Sequence, residues 1–572
     1  MIGQVSSHAR TSWTERGFFL ALLVICLLPL SKNQPGPDFW GHVQYGSDVL
    51  REGLPTSVTY SYNAVGNNWV NHETLSELAM AVGIQSLGGV GLLCIKCLLG
   101  AALMAIIIIR SQRAGASQMT IVVIALFASI NLMHFWLLRP QLASYMFFAS
   151  LVLILDWAVP RDELAADISA PSKDSRRRLA TLWLVAPLLA VWANSHGGFV
   201  AGYAVLVTFL VCRSIESFLR HGQRSWRTAF HYLAIVVVAG LATVINPAGL
   251  ELHAWLWQSL GTPRPEIVEW RPPELTSIAW TPWWLMVAVS VVAVAVTRKS
   301  RDPAQMVLLS LVLWQSIEHR RHIPFFAILF ALWLVPHVDD LIRRLRGTGE
   351  LVPAGSDATS RAGKMFLATT AAITLFAGTT LFQQLSKMPV LRGKYPVSAF
   401  QFIADQGLHG KLVVRFMWAQ YAIDAFGSTR DTDNDIKVAF DGRFRTCYPQ
   451  SVVDMYFDFA IGPRTDQARF RSLASGPIDD DRILEYGSPD LVLLDRNQAH
   501  PVEVLARQAC DWALLYQDEL TQLYGRRSKY DDPASPDYLA VSRRSITETK
   551  QTGYVQWPAL PIRQTPKRLA VR

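Results

Sequence analysis

The sequence predicts a polytopic α-helical membrane protein, a bundle of about eleven transmembrane helices followed by a C-terminal soluble α/β domain. Of its 572 residues, 51% are hydrophobic and 17% are charged, whereas soluble domains carry about 25% charged residues. Apolar runs close to the ~20 residues that span a bilayer recur over most of the chain. From about residue 385 onward the composition becomes that of a soluble domain. These three observations exclude a wholly soluble enzyme.

The apolar runs place the predicted transmembrane helices. They begin near Gly17, Leu87, Gln118, Gln141, Leu179, Gly198, Thr228, Ala279, Gln305, Ile323 and Met365. The first run has no small-residue cleavage site, so we interpret it as a retained span rather than a signal peptide. Residues 1–385 are therefore expected to form the membrane bundle, and residues 386–572 the soluble domain.

The distribution of Lys and Arg predicts the orientation. With the N-terminus inside, the outer loops hold about a third as many Lys and Arg residues as the inner segments, which is the positive-inside pattern. An odd number of spans then exports the C-terminus. The prediction is a multi-pass membrane protein with its N-terminus inside and its C-terminal domain outside. The net charge of +9 lies mainly in these short loops and indicates topology rather than a nucleic-acid partner.

The soluble domain is expected to contain a small sheet. Residues 411–414, 437–440 and 490–494 are short apolar runs typical of strands, and turn or helical segments separate them. Cys447 and Cys510 both fall in this domain, where oxidation is permitted. A disulfide between them depends on a Cα separation that the sequence does not give.

Polar residues gather in the segments predicted to lie outside. Residues 35–86 form a long first outer loop, whose stretches 38–51 and 72–82 have helical periodicity with apolar faces typical of interfacial helices. Polar groups at membrane depth are costly and usually mark function. The candidate site residues are Asp38, His42, His72, Glu73, Arg139, His196, Arg320 and Arg321. Carboxylate, imidazole and guanidinium groups thus converge on one face, which suits a reaction on a lipid-linked substrate.

Several of these residues have a second interpretation. Arg320 and Arg321 either hold a substrate phosphate or bind lipid headgroups. His196 either belongs to the site or turns the chain before two glycines. His72 and Glu73 either orient the acceptor, form a pair of a base and the group that orients it, or open the second helix of the loop as its N-cap pair.

The loop motifs carry a resemblance to a known family. The matching segments are residues 37–42, 45–46, 53–55, 60–62, 69–73, 139–140, 194–198, 246–249, 321–324 and 441–443. They resemble a bacterial family of GT-C-type integral-membrane glycosyltransferase-like proteins with a C-terminal exported domain. The likeness covers nearly the whole chain and implies a GT-C-like bundle in the bacterial cytoplasmic (inner) membrane, with the C-terminal domain on the outer (periplasmic) side.

The resemblance also implies a chemistry. In GT-C proteins an acidic residue of the first outer loop is the catalytic or metal-binding carboxylate, and that role falls on Asp38. The donor is usually a polyprenyl-phosphate-linked sugar. Members that use a divalent metal often carry Asp-x-Asp in the second outer loop. Here residues 134–139 contain no acid, so no cofactor is expected, although a divalent metal remains compatible with the family.

A second likeness concerns single-subunit oligosaccharyltransferases, which pair a GT-C bundle with an exported domain that carries a Trp-Trp-Asp-Tyr-Gly motif. Residues 417–421 occupy a comparable place but lack the Asp. Recognition of an acceptor peptide is therefore not expected.

The sequence hypothesis is sugar transfer from a polyprenyl-phosphate donor to a lipid, glycan or protein hydroxyl, with inversion at the anomeric carbon. The expected partners are the lipid-linked donor, membrane lipids and an acceptor that the sequence does not identify, with no nucleic acid. A lipid-linked glycan transporter or flippase would also need a polar cavity, although no repeated halves are visible. A non-catalytic envelope scaffold is the third alternative.

Overall fold

The computed structural model describes residues 13–55, 57–161, 172–346, 361–427, 436–463 and 469–562. Its first part is helical. The helices are α1 (Trp13–Leu30), α2 (Phe39–Glu52), α3 (Thr74–Arg113), α4 (Gln118–Leu132), α5 (Gln141–Ala158), α6 (Lys173–Ala180), α7 (Val185–Ala193), α8 (Phe199–His221), α9 (Trp226–Ala242), α10 (Leu250–Leu260), α11 (Thr281–Val296), α12 (Pro303–Glu318), α13 (Ile323–Trp333), α14 (Val335–Arg346) and α15 (Arg361–Leu385).

Several of these helices are long and apolar enough to cross a membrane. In the described residues there are five such segments: Thr74–Arg113, Gln141–Ala158, Phe199–Ala242, Ile278–Val296 and Lys364–Leu385. Helices α13 and α14, bent by 68°, make a sixth if the pair is one span. A helix begins close to each predicted apolar run except the one from Leu87, which lies within α3. Some of these helices are short, such as the nine residues of α7. The chain is a multi-pass membrane protein, and the number eleven is not confirmed.

Local capping explains where some helices begin. The Ser117 hydroxyl accepts a hydrogen bond from the Thr120 N–H (3.3 Å) and opens α4. Asp302 accepts from the Ala304 N–H (3.0 Å) ahead of α12, and it also pairs with Arg213 of α8 (Nη2–Oδ2 2.6 Å). These side chains satisfy N–H groups that a helix N-terminus leaves without partners.

Helix α3 joins two elements that the sequence treats as separate. The interfacial segment 72–82 and the span from Leu87 form one 40-residue element, interrupted at Gly88 by φ 67° and ψ −179°. Only glycine adopts this conformation without strain. The chain therefore bends at Gly88, and the polar start of α3 lies in a different direction from its apolar part.

The last part of the chain contains the predicted sheet. The remaining helices are α16 (Val397–Gln406), α17 (Phe416–Phe426), α18 (Gln450–Ile461), α19 (Arg482–Glu485), α20 (Ala499–Arg507) and α21 (Arg527–Tyr530). The strands are β1 (Pro389–Leu391), β2 (Gly410–Val414), β3 (Ile436–Val438), β4 (Leu491–Asp495), β5 (Trp512–Gln517), β6 (Thr521–Arg526), β7 (Ser545–Ile546) and β8 (Tyr554–Gln556). The three predicted strand runs are confirmed as β2, β3 and β4.

The strands form a six-stranded sheet of order β3-β2-β4-β6-β5-β7 and a two-stranded sheet of β1 and β8. Strand β2 is parallel to β3 and β4, and β6 is antiparallel to β4 and β5. Ser61 of the first loop forms a parallel bridge with Val438 at the β3 edge. The first loop is thus hydrogen-bonded to the sheet.

The sheet and the first loop share one hydrophobic core. Phe39 and Trp40 of α2 are fully buried in the same cluster as Trp418 and Tyr421 of α17. The Trp40 indole N–H donates to the Pro558 carbonyl (2.8 Å). The apolar face of α2, which the sequence suggests lies at the lipid interface, is therefore buried against α17 of the C-terminal region.

No disulfide joins the two cysteines of this region. Cys447 is buried and Cys510 is exposed, and both are free thiols.

Candidate functional site

Asp38 lies immediately before α2, where it occupies the N-cap position without capping the helix. Its carboxylate instead meets Arg139, with Oδ2 2.9 Å from Nη2. The other arm of Arg139 reaches Glu269, with Nη1 2.6 Å from Oε1. Burial alone would lower the pKa of Arg139, but the charges of Asp38 and Glu269 raise it above its usual value. One guanidinium therefore holds two carboxylates from distant loops.

A carboxylate–imidazole cluster follows one turn along α2. The His42 Nδ1 atom lies 3.2 Å from Glu77 Oε1 and 3.9 Å from Glu73 Oε2. Burial tends to lower the pKa of His42, but the hydrogen bond with Glu77 and the charges of Glu73, Glu77 and Asp38 raise it overall. The Asn71 amide donates to Glu77 Oε2 (2.6 Å). Glu73 precedes α3 and Glu77 lies in its first turn, so both carboxylates reach the same face of α2.

Two further imidazoles approach Glu73 from the other side. Its Oε1 atom is 3.9 Å from His72 Nε2 and 3.8 Å from His196 Nε2. The His196 Nδ1 atom accepts a hydrogen bond from the Gly198 N–H (3.0 Å), so the proton of the neutral ring is on Nε2, facing Glu73. Burial lowers the pKa of His196 well below its usual range. His72 is stacked on Trp255, with ring centroids 5.4 Å apart.

The adjacent residues Arg320 and Arg321 have different surroundings. Arg320 is buried and pairs with Glu274 (Nη2–Oε1 2.7 Å). Arg321 lies over the Trp270 ring, 4.4 Å from its centroid, and no carboxylate of the described chain forms an ion pair with it. Arg264 lies 4.9 Å from the same ring centroid. Burial and the charges of Arg321 and Arg445 lower the pKa of Arg264 to about 10. Trp270 therefore carries two cations next to Glu269.

The sheet region closes over Asp38. A Cβ atom on Gly442 would stand 2.9 Å from Asp38 Oδ1 and 3.0 Å from Gln420 Nε2, so only glycine fits there. The neighbouring Arg443 pairs twice with Asp441, through Nε–Oδ1 at 2.9 Å and Nη2–Oδ2 at 2.8 Å. The Asp-Gly-Arg segment is thus both an internally paired turn and a wall of the candidate site.

First-loop aromatic rings surround the Arg443 guanidinium. The ring centroids of Tyr45, Tyr60 and Trp69 lie 5.2, 5.3 and 4.7 Å from its central carbon. Cation–π contacts of this kind contribute about 0.5–2 kcal/mol each. They fasten the sheet region to the loop that supplies Asp38 and His42.

Of the described residues, His42, Glu73 and Glu77 form a group able to hold a metal ion, with ligand atoms within 4.8 Å of one another. The sequence suggests no such group, because the ligands are spread over 36 positions and have no metal-motif spacing.

No family model and no curated protein matches the chain. The archaeal oligosaccharyltransferase AglB from Archaeoglobus fulgidus, in complex with an inhibitory peptide and a dolichol-phosphate, superposes with a TM-score of 0.51 at 9% identity, over 85% of this chain and 70% of that chain. The same organism's oligosaccharyltransferase tethered with an acceptor peptide gives 0.50 at 11%, over 92% and 76%. The chain has a GT-C fold.

A third similar structure is that of ArnT from Cupriavidus metallidurans bound to undecaprenyl phosphate, with a TM-score of 0.45 at 12% identity over 90% of this chain and 98% of that chain. At identities near 10%, the superpositions establish the fold alone. This fold confirms the GT-C resemblance that the loop motifs predict.

Within this GT-C fold, most of the predicted site residues converge. Those brought together are Asp38, His42, His72, Glu73, Arg139 and His196, and the charge of Arg321 reaches His196. Arg320 belongs to a separate ion pair. Sequence reasoning missed Glu77, Glu269 and Arg264 as site residues. The spacing of Glu77, four residues after Glu73, is the one signal that indicates a shared helical face.

Proposed function

We propose that the protein is a membrane glycosyltransferase that moves a sugar from a polyprenyl-phosphate donor to a hydroxyl of a lipid, glycan or protein. The proposal includes the outer face of the bacterial cytoplasmic membrane as the place of reaction. The fold supports it, since an oligosaccharyltransferase with a similar fold was solved with a dolichol-phosphate. The observation that carries it is one connected arrangement: Arg139 joins Asp38 to Glu269, and the next residue, Trp270, carries Arg321 and Arg264.

Asp38 is the base in this proposal. Its side chain is 31% exposed, so an acceptor hydroxyl can approach it. Asp38 takes the hydroxyl proton, and the oxygen attacks the anomeric carbon of the donor. A positioned base of this kind contributes typically about 10²–10⁴-fold to the rate.

Arg321 and Arg264 receive the leaving group. The bond between the anomeric carbon and the phosphate oxygen breaks, and the polyprenyl phosphate leaves with the electron pair. Guanidinium groups match the geometry of phosphate oxygens. Arg321, which forms no ion pair with a carboxylate among the described residues, is available to bind them. Attack on the face opposite the leaving phosphate inverts the anomeric carbon.

The first test is release of polyprenyl phosphate from sugar-loaded donors by the protein in lipid discs. The variants are Asp38→Asn, immediately before α2, and, as a control, Glu52→Gln, at the exposed last residue of α2. We expect release to fall at least about a hundredfold in Asp38→Asn and to stay unchanged in Glu52→Gln.

Two results would count against the proposal. Equal release by Asp38→Asn would remove Asp38 as the base. No release from any donor by a folded protein would favour a lipid-glycan transporter, which moves its substrate without releasing polyprenyl phosphate, or an envelope scaffold.

A further inference from the structure

An apolar groove runs along the contact between α1 and α15. Its volume is about 810 Å³, and its lining includes Gly17 and Leu20 of α1 and Leu375, Phe382 and Gln383 of α15. Leu375 and Phe382 are 70% and 74% exposed, so the described chain leaves the groove open on the side that faces the bilayer. Polar groups are costly at membrane depth, and the occupant of this groove is therefore an apolar chain.

The groove ends beside two lysines. Lys32 and Lys387 lie two residues after the ends of α1 and α15, respectively. The Asn33 amide donates to the carbonyls of Gln384 (2.8 Å) and Lys387 (3.0 Å), which holds the two chain segments side by side. Gln384 directly follows Gln383, the last groove residue along the chain. The two cations thus stand at the polar end of the groove.

A third lysine, Lys394, joins them from the sheet region. The Tyr395 hydroxyl donates to the Pro35 carbonyl (3.2 Å), and the buried Lys96 ammonium donates to the Lys32 carbonyl. These bonds fix the segment that carries Lys32 against the segment that carries Lys394. All three lysines are exposed, and none of them forms an ion pair with a carboxylate in the described part of the chain.

We propose that the groove and the three lysines form a binding site for an anionic membrane lipid, with an acyl chain between α1 and α15 and the phosphate on Lys32, Lys387 and Lys394. Each Lys or Arg close to a membrane surface increases the affinity for anionic lipids about fivefold. A zwitterionic lipid or a helix of another protein would fill the apolar groove but would leave the three cations without an anion. The site is separate from Arg321 and Arg264, which receive the donor phosphate.

The lysines lie next to the candidate site. A Cβ atom on Gly36 would stand 3.1 Å from Arg139 Nε, and partial burial and the charges of Lys32 and Arg139 lower the pKa of Lys394. A lipid bound here brings its headgroup close to Arg139 and therefore to Asp38. This position favours a lipid as the acceptor, a consequence that rests on the proposed function, whereas the binding itself does not.

Native mass spectrometry of the full-length protein measures the binding. The protein in a mild detergent receives equal amounts of phosphatidylglycerol, which is anionic, and phosphatidylcholine, which is zwitterionic, and the lipids retained on each chain are counted. We expect phosphatidylglycerol to be retained at least about tenfold more than phosphatidylcholine, since three lysines attract its phosphate. The triple variant Lys32→Gln, Lys387→Gln and Lys394→Gln should lose this preference.

The control is a second triple variant, Lys299→Gln, Lys437→Gln and Lys550→Gln, which removes the same net charge elsewhere. It should retain phosphatidylglycerol like the native chain, because a local site rather than the net charge holds the lipid. Lys299 follows α11 by three residues, so this control also tests general attraction near the membrane. Asp38→Asn should retain the lipid whether or not it releases polyprenyl phosphate, which separates this inference from the proposed function.

A further pair of variants tests the groove without changing a charge. Nothing lies within 4 Å of a Cβ atom on Gly378, which lines the groove, so Gly378→Phe is compatible with the fold and fills the groove. It should lower the retention of phosphatidylglycerol at least about tenfold, since each CH₂ group that loses its apolar contact costs about fourfold, and it should not lower the melting temperature. Thr369→Phe, at an exposed position of α15 outside the groove, should retain the lipid.

Four results would each overturn the inference. The first is equal retention of the two lipids by the native protein, and the second is an equal loss of preference in the two lysine variants. Displacement of phosphatidylglycerol by polyprenyl phosphate would show that the groove holds the donor. A dimer that Gly378→Phe dissociates, without any lipid preference, would show that a second chain covers the groove.

Discussion

Arg139 connects the two loops that supply Asp38 and Glu269 to the candidate site. Its two arms hold Asp38 and Glu269 at 2.9 and 2.6 Å, and its planar guanidinium allows both contacts at once. A lysine ammonium is a single point charge on a flexible stem. It can therefore hold one of the two carboxylates but not fix both.

We expect Arg139→Lys to lower release of polyprenyl phosphate about a hundredfold, because a displacement of about 1 Å at a reacting group costs that much. The measurement is the release assay, with Arg51→Lys as the control, since Arg51 is an exposed residue of α2 that pairs with Asp48. Full activity of Arg139→Lys would show that the double contact is not needed.

Substitutions of Arg320 and of Arg321 should change different properties of the protein. Arg321→Gln removes a cation that pairs with no carboxylate in the part of the chain that the structure describes. Polyprenyl phosphate should therefore bind at least about tenfold more weakly, as expected for a hydrogen bond to a charged group, while the melting temperature stays the same. Arg320→Gln breaks the pair with Glu274 and should lower the melting temperature without changing the affinity. The measurements are the affinity for polyprenyl phosphate and the melting temperature of both variants. Equal affinities and equal melting temperatures would contradict the different roles of the two arginines.

The residue types of the site were predictable, but their individual roles were not. Asp38, His42 and Arg139 stand out in the sequence because polar groups at membrane depth are costly. Arg320 and Arg321 are neighbours in one loop, and only the short turn at 320–322 sends them to different partners. The partner of each arginine depends on tertiary packing, which cannot be predicted from the pattern of a single sequence.

Among the elements, α3 depends on one glycine. Gly88 has φ 67° and ψ −179°, a conformation that costs a side-chain-bearing residue about 1–3 kcal/mol. Gly88→Ala should therefore lower the free energy of unfolding by about this amount. Gly89→Ala is the matched control, since its Cβ would meet Met388 and Trp557 only at 3.4–3.5 Å. Thermal unfolding of the two variants is the measurement, and equal melting temperatures would refute the strain at Gly88.

Helix α17 carries a carboxyl group that should make stability depend on pH. Burial and the nearby charge of Asp48 raise the pKa of Asp424 to about 7, compared with about 3.9 in an unfolded chain. The native state therefore holds this proton more tightly than the unfolded state, and the folded chain loses stability as the pH rises from about 4 to 7.

Asp424→Asn removes this loss. The difference in free energy of unfolding between the variant and the native chain should increase by about 1–3 kcal/mol from pH 5 to pH 8, in favour of the variant. Asp405→Asn, at an exposed position of α16, should show no such increase. Denaturant unfolding at the two pH values measures the difference. A gain that is the same at both pH values would contradict the raised pKa.

Element prediction succeeded where periodicity is strong. The three strand runs and the helices near the apolar runs are present, because alternation and apolar length depend on local sequence. The continuity of α3 through residue 88 was not predictable, since a glycine within an apolar run does not tell a bend from an end.

At the scale of the whole molecule, the first loop and the sheet region share one hydrophobic core. Phe39 and Trp40 are buried against Trp418 and Tyr421, and Arg443 is enclosed by first-loop rings. The sequence suggests a boundary near residue 385 because composition changes there. It could not reveal the shared core, because an amphipathic helix next to a membrane has the same pattern whether lipid or protein covers it.

Residues 386–572 expressed alone should therefore expose apolar surface. We expect this fragment to bind a hydrophobic dye and to aggregate, and a fusion that adds residues 36–72 through a flexible linker to bind less dye and remain monomeric. Dye fluorescence and size-exclusion chromatography provide the measurement. A monomeric fragment that binds no dye would show that the sheet region is stable without the loop.

The shared core also sets an order of events during synthesis. Roughly 380 residues separate Trp40 from Trp418, and a ribosome adds about 5–20 residues per second. For about 20–75 s the newly made loop has no sheet to cover its aromatic side chains. During that interval lipid or a chaperone must shield them, so the bundle is inserted before its first loop reaches the native conformation.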